Sequence, residues 1–405
     1  MRSLAVLSMH TSPLAQPGSG DSGGMNVYVR ELVAALAQAG VRSEVYVRRW
    51  APDLPDVVDV EPGFRVVHVD AGPPELAKEE LPELVDEYTE AVGRHLRRSG
   101  GPDAIHANYW LSGVAGHRLK HELSLPLVST FHTLARVKAE TGDPEPDRRV
   151  EAETEVIACS DAILANCAAE VTQLVELYGA DPGRIEIVPP GVDHAFFSPG
   201  HRGGARAALG LGEHPVLLFV GRIQPLKGLT VAIEALAELS EAHPDAVLVA
   251  VGGQSGPGGE AEMAAARALI ARHGLIERVR FVPPQPHHVL STYYRAADVC
   301  IVPSRSESFG LVALEAAACG IPVVAAAVGG LRTLVDDGVT GILVDTRDPG
   351  DYARAVAEVL DRPGLAERMS GAAAAEARGY TWSTTAARLR RLYADLTART
   401  PVTCS

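Results

Sequence analysis

Two carboxylates, Glu307 and Glu315, stand eight residues apart in the run Ser304-Arg305-Ser306-Glu307-Ser308-Phe309-Gly310-Leu311-Val312-Ala313-Leu314-Glu315. Either one alone would read as a solvated glutamate, because Glu is mostly exposed in folded proteins. Their setting argues for more. Val299 to Val302 is apolar enough for a buried parallel strand, and the residues after Gly310 have helical spacing. Glu307 is thus expected in the loop at a strand's C-terminal end, where open parallel sheets bind ligands, and Glu315 two turns further on. Gly310 permits close backbone approach, and free N–H groups at a helix start suit an anionic or polar ligand. Two cations belong to the same pattern. Pro215 to Val220 reads as another short buried strand, and it runs into Gly221-Arg222-Ile223-Gln224-Pro225-Leu226-Lys227-Gly228. A guanidinium fork and a mobile ammonium in one Gly-bounded loop make a fitting pair for a diphosphate.

Parallel sheets covered by helices on both faces are what the chain's alternation of strand-like and helix-like segments predicts. In the first half the candidate strands are Leu4 to Ser8, Ser43 to Val47, Arg65 to Val69, Ala104 to Ala107, Leu127 to Thr130 and Ala162 to Ala165. Gly23-Gly24 opens an amphipathic helix reaching about Gln38. The second half repeats the plan with Val216 to Val220, Ala246 to Val251, Val279 to Val282, Val299 to Val302, Pro322 to Ala326 and Ile342 to Val344. Domains are expected over 1–195 and 196–380, with a terminal helix in 381–405. Gly256 to Gly259 reads as a flexible surface loop.

Composition narrows the partners. With 405 residues the chain can bury two cores, and 46% hydrophobic with 22% charged residues is globular. A formal net charge of −14 argues against nucleic acid or an anionic membrane as main partner, so an anionic substrate needs a local cluster of cations. The five cysteines, Cys159, Cys167, Cys300, Cys319 and Cys404, form no close pair with metal-ligand spacing and read as reduced thiols, Cys300 and Cys319 in the core. Without a signal peptide or a run of about 20 apolar residues, the expectation is a soluble cytoplasmic protein.

The two loops together resemble the family 4 glycosyltransferases, whose hallmark is a Gly-Arg-x-x-x-x-Lys-Gly loop followed by two Glu separated by seven residues, here Gly221 to Gly228 with Glu307 and Glu315. Within that family, the run from His10 to Asn26, Tyr109-Trp110-Leu111-Ser112-Gly113, Phe131-His132-Thr133, Pro144-Glu145-Pro146 and Pro283-Pro284-Gln285-Pro286 are similar to the inositol 3-phosphate-using branch, which starts mycothiol synthesis. The resemblance implies an α/β GT-B fold, two Rossmann-like domains facing across a cleft, with the last helix crossing back to the first domain.

It also implies roles. Arg222 and Lys227 would meet the charge on the departing diphosphate, Glu307 and the amides from Phe309 and Gly310 onward would hold the donor sugar, and Glu315 would accept from the ribose hydroxyls. Gly23 and Gly24 would bring amides to the diphosphate, and His132 would lie beside the reacting centre as a positioning group. His10, Asn26, Lys78, Tyr109, Thr133 and Arg149 would surround the acceptor phosphate. The implied reaction moves N-acetylglucosamine from UDP-GlcNAc to inositol 3-phosphate with retained configuration. It needs no cofactor and no catalytic metal; a magnesium ion could serve structure, and a homodimer is compatible with it.

Three departures bear on the acceptor: Lys138 to Asp143 is short against the family pattern, and Asn108 and Ile321 replace an expected His and Thr. Another sugar moved onto an unphosphorylated aminocyclitol or thiol is therefore an alternative. A nucleotide-dependent oxidoreductase would share the alternation but lacks a Gly-x-Gly-x-x-Gly turn after the first strand. A non-catalytic sugar-binding module would not need both cations and both glutamates.

Overall fold

The computed structural model of the chain describes residues 2–18, 20, 22–76 and 78–404, apart from the side chain of Pro257. Ser19 and Asp21 of the N-terminal run, and the two chain-end residues assigned to domains above, lie outside it. The described residues form two compact units. One comprises Met1–Ala15, Met25–Pro190 and Trp382–Ser405, the other Gln16–Gly24 and Gly191–Thr381.

The first unit is built on β1 (Ser3–Leu7), β2 (Arg42–Arg48), β3 (Val57–Glu61), β4 (Phe64–Val69), β5 (Ala104–Asn108), β6 (Leu127–Thr130), β7 (Ala162–Ala165) and β8 (Ile185–Ile187). Their spatial order is β3-β4-β2-β1-β5-β6-β7-β8, parallel except for β3, which runs antiparallel to β4. Burial on both faces explains why Leu4 to Leu7 of β1 is an unbroken apolar run: Leu4 and Val6 pack on the helices Gly24–Gln38 and Trp382–Thr397, while Ala5 and Leu7 pack on Val85–Arg98 and Trp110–Leu123. The terminal helix is tied to β5 from below, since Tyr393 Oη and His106 Nδ1 lie 2.7 Å apart. Burial pushes the His106 imidazole down to about 3, so it is neutral there.

The second unit holds β9 (Val216–Val220), β10 (Val247–Val251), β11 (Val279–Val282), β12 (Val299–Val302), β13 (Val323–Ala326) and β14 (Gly341–Val344). All are parallel, in the order β11-β10-β9-β12-β13-β14. This is the doubly wound order of dinucleotide-binding domains, which reverses direction between β9 and β12. Leu217 and Phe219 face one helical layer and Val216 and Leu218 the other, again a strand buried on both sides.

Twelve of these strands coincide with the sequence expectation to within a residue or so. β3 and β8 were not expected, and both are edges: Val57–Glu61 is half exposed with acidic residues in its alternation, and Ile185–Ile187 is three residues long. Neither can be an apolar run when one side faces water. Gly256 to Gly259 is a correction as well. Gly256 caps the helix Pro257–Arg272, whose first turn packs against the Arg222–Lys227 loop. Cys159 and Cys404, read as reduced thiols, lie within disulfide-bonding reach of each other, whereas Cys167, Cys300 and Cys319 are buried and take no part in a disulfide. No helix among the described residues is long and apolar enough to cross a membrane.

Candidate active site

In a doubly wound sheet the strands on either side of the reversal send their following loops to opposite faces, opening a crevice at their C-terminal ends. In the second unit those strands are β9 and β12. The loop after β9 carries Arg222 and Lys227, and the loop after β12 carries Glu307. Both loops are joined through their backbones, the Arg305 N–H donating to the Leu226 carbonyl at 2.8 Å. Lys227 Nζ pairs with Glu307 Oε1, which also accepts from Ser304 Oγ at 3.0 Å. Both partners are partly exposed, so the pair remains open to exchange with a charged ligand. Gly228 has φ 74°, and a Cβ there would meet the Pro303 carbonyl oxygen at 2.3 Å, so the two loops can close on each other only with glycine at this position.

Arg222 lies under a segment from another part of the chain. Gln16–Gly24 belongs to the second unit, and a Cβ on Gly23 would stand 3.1 Å from the Arg222 guanidinium. Gly24 approaches Leu311, the first residue of the helix Leu311–Ala318. Arg222 also donates to Ser255 Oγ at 3.4 Å. Glu315, buried on the same helix, accepts from Tyr294 Oη at 2.8 Å. Ser255, Tyr294 and the Gly329-Gly330 turn, whose Gly330 N–H donates to the Glu307 carbonyl at 2.9 Å, carried no signal in the sequence. They are contributed by separate segments and become neighbours only through the sheet order.

The reversal in the first unit falls between β1 and β5, and the loops there hold His10 and Tyr109. Tyr109 is the hub. Its ring lies 4.3 Å from that of His10, 5.3 Å from Lys78 Nζ and 5.0 Å from the Arg149 guanidinium carbon. Its hydroxyl accepts from Arg149 NH1 at 3.1 Å, and Arg149 NH2 donates to both the Thr133 carbonyl and Oγ1 at 3.0 Å. Asn26, on the first helix, donates to Thr11 Oγ1 at 2.6 Å and so holds the loop that carries His10. The six residues expected around the acceptor thus form one connected neighbourhood.

Arg149 is less available than its sequence role suggested. It is 2% exposed, bonded to Glu153 at 2.8 Å and to Glu145 at 2.9 Å. Burial lowers its pKa, but Tyr109 and the two carboxylates outweigh burial and the net shift is upward. Glu145 is shared with Lys138, the residue at which the chain departs from the family pattern. Glu153, four residues beyond Arg149, could have been found from its helical spacing.

His132 follows β6 with φ 62°, and Tyr109 follows β5 with φ 75°. Non-glycine residues rarely occupy that region, and strain of this kind gathers at functional sites. His132 Nε2 lies 2.9 Å from Asn108 Oδ1, so Asn108, standing where a His was expected, orients the imidazole. The Asn108 Nδ2 is buried with no hydrogen-bond partner among the described residues. Desolvation, assisted by His106, pushes His132 down to about 3, and it is neutral at physiological pH.

Comparison with known proteins gives the family. Residues 22–196 match Glycosyltransferase Family 4 and residues 205–376 match Glycosyl transferases group 1. The chain is 47% identical over 407 residues to a D-inositol 3-phosphate glycosyltransferase of Streptosporangium roseum, covering 98% of this chain and 93% of that one. The solved sucrose-phosphate synthase from Thermosynechococcus elongatus matches with a TM-score of 0.92 at 32% identity, over 98% of this chain and all of the other. HepE of Anabaena, solved with UDP-glucose, shares the fold at a TM-score of 0.77 and 20% identity, over 97% and 99% of the two chains. Paired Rossmann-like units with both sites at strand-order reversals are those of a GT-B glycosyltransferase. The chain belongs to glycosyltransferase family 4.

Proposed function

We propose that the chain transfers N-acetylglucosamine from UDP-GlcNAc to inositol 3-phosphate and retains the anomeric configuration. The observation that carries the acceptor is the convergence of Lys78, Thr133 and Arg149 on Tyr109, a cationic and hydroxyl-bearing neighbourhood suited to a phosphate. The name of the Streptosporangium relative supports the same acceptor. In the second unit, Arg222 and Lys227 meet the negative charge that builds on the β-phosphate as its bond to the anomeric carbon breaks. Glu307 accepts from sugar hydroxyls and Glu315 from ribose hydroxyls, a task an ionised carboxylate performs well.

The acceptor oxygen forms its bond to the anomeric carbon on the face from which the phosphate leaves, and its proton passes to the departing phosphate oxygen. His132, neutral, positions the reacting groups and takes no charge. Side chains and amides meet the diphosphate charge, so this reading assigns no metal to the reaction, and chelator-treated protein is expected to keep its transferase activity. Glu145 beside Arg149 favours a second reading, transfer to an unphosphorylated aminocyclitol whose ammonium would pair with it. Product analysis with a panel of nucleotide sugars and with inositol 3-phosphate, inositol and aminocyclitols decides between them. Preference for the phosphorylated acceptor is expected, and equal use of its dephosphorylated form would remove the first reading. The anomeric proton coupling of the product reports retention.

A further inference from the structure

Away from the residues assigned to transfer, four potential metal ligands converge in the first unit: His117, His121, Cys159 and Cys404, whose ligand atoms all lie within 4.8 Å of one another. We propose that these four side chains form a tetrahedral zinc centre that fastens the segment after the terminal helix to the first unit.

His117 and His121 are four residues apart on the helix Trp110–Leu123 and so share a face, with ring centroids 5.1 Å apart. Cys159 ends the helix Asp147–Cys159, and Cys404 comes from the far end of the chain, 245 residues later. From Cys404 Sγ it is 3.1 Å to His121 Nε2 and 3.6 Å to His117 Nε2, and from Cys159 Sγ it is 4.0 Å to His121 Nε2. Zinc bonds of about 2.3 Å to sulfur and about 2.0–2.1 Å to nitrogen give nitrogen–sulfur edges of about 3.5 Å, which these separations bracket, while the two sulfurs, in contact here, would part to about 3.8 Å around the ion. Two thiolates would neutralise the dication and two neutral imidazoles would complete its coordination, a donor set that selects zinc among common cations.

The surroundings hold the ligands in place before any ion arrives. Lys120, between the two histidines, is buried and donates to the Cys159 carbonyl and to Asp161 Oδ2, each at 2.7 Å. Asp161 Oδ1 accepts from the Val402 N–H at 2.6 Å, two residues before Cys404. One buried ion pair therefore holds the backbone beside both sulfur ligands. The cluster lies seven to eleven residues along the helix from Trp110, roughly 10–17 Å from the Tyr109 end, so its role is structural. A disulfide between Cys159 and Cys404 is the rival chemistry. It would account for the sulfur contact but leave the two imidazoles without a purpose. Only the His117–His121 spacing is local; the centre as a whole was not legible in the sequence because its ligands come from three distant segments.

The test uses the full chain purified under reducing conditions without chelator. Elemental analysis is expected to find one zinc per chain, and replacement by cobalt(II) to give tetrahedral d–d absorption with a thiolate charge-transfer band. Cys404→Ser and His121→Ala should each lower zinc content at least tenfold. Removing zinc should lower the melting temperature by several degrees, zinc should restore it, and Cys404→Ser should abolish that response while leaving transferase activity intact below the melting point. The cobalt spectrum of the unmodified chain stands even if a variant fails to fold. Absence of zinc together with no cobalt spectrum, or a Cys159–Cys404 disulfide in metal-free protein, would overturn the proposal.

Discussion

The two strand-order reversals carry polar sites of opposite construction. In the second unit, Arg222, Lys227 and Glu307 sit on two loops that directly follow adjacent strands, and the Lys227–Glu307 pair is partly exposed. In the first unit the corresponding site is gathered from six segments, buries Asn26, Tyr109 and Arg149, and includes two residues at positive φ. Partly exposed charges can be removed with little harm to folding, while buried paired charges cannot, since breaking a buried pair strands its partner. A single alanine substitution therefore means different things at the two sites.

The largest expected effect tests the second unit. Arg222→Ala or Lys227→Ala should reduce turnover by about 2.7–4 kcal/mol of transition-state stabilisation, by analogy with loss of an oxyanion donor, and leave the melting temperature nearly unchanged. Steady-state kinetics beside thermal unfolding checks both halves, and wild-type turnover in either variant would end the assignment. In the first unit the reverse is expected of Arg149→Ala: it strands Glu153, which is fully buried, and should cost about 3–5 kcal/mol of stability, measured by denaturant unfolding. Lys78→Ala is the cleaner probe there, because Lys78 is only partly buried. It should raise the acceptor's Michaelis constant by a factor equivalent to about 1.5–3 kcal/mol while donor affinity, read by calorimetry, holds.

Burial in the first unit also has a pH consequence. Glu170 is 4% exposed, and desolvation pushes it up to about 7 although the Asn166 amides donate to it. Its folded pKa is raised, so the folded state keeps a proton that the unfolded state has lost. Stability falls as pH rises from about 4.5 to about 7. Glu170→Gln should raise the melting temperature at pH 8 and change it little at pH 4; a gain at both would point to packing instead of ionisation. The smallest effect is expected from Glu315→Gln, which keeps shape and loses charge. Donor affinity should weaken several-fold, with less change in the chemical step than Glu307→Gln produces, and calorimetry with the nucleotide alone would expose an unchanged affinity.

The legibility of the two sites follows the same division. Buried parallel strands need continuous apolar runs, so the interior strands and their loops could be read from the chain, whereas the edge strands Val57–Glu61 and Ile185–Ile187 could not. The residues proposed for the donor were legible because two short loops hold Arg222, Lys227 and Glu307. The residues proposed for the acceptor were named only by family resemblance, and that resemblance did not reveal that Glu145 and Glu153 occupy Arg149 or that Asn108 orients His132.

What the sequence alone determined is local: which segments are strands or helices, and which charged residues follow a strand. Tertiary structure decided that Gln16–Gly24 packs with the second unit, that Tyr109 is the hub of its neighbourhood, and that Cys404 meets Cys159 and two histidines. The physical reason is that periodicity and turn chemistry act over a few residues, whereas these contacts depend on sheet order, which brings together side chains with no local pattern between them.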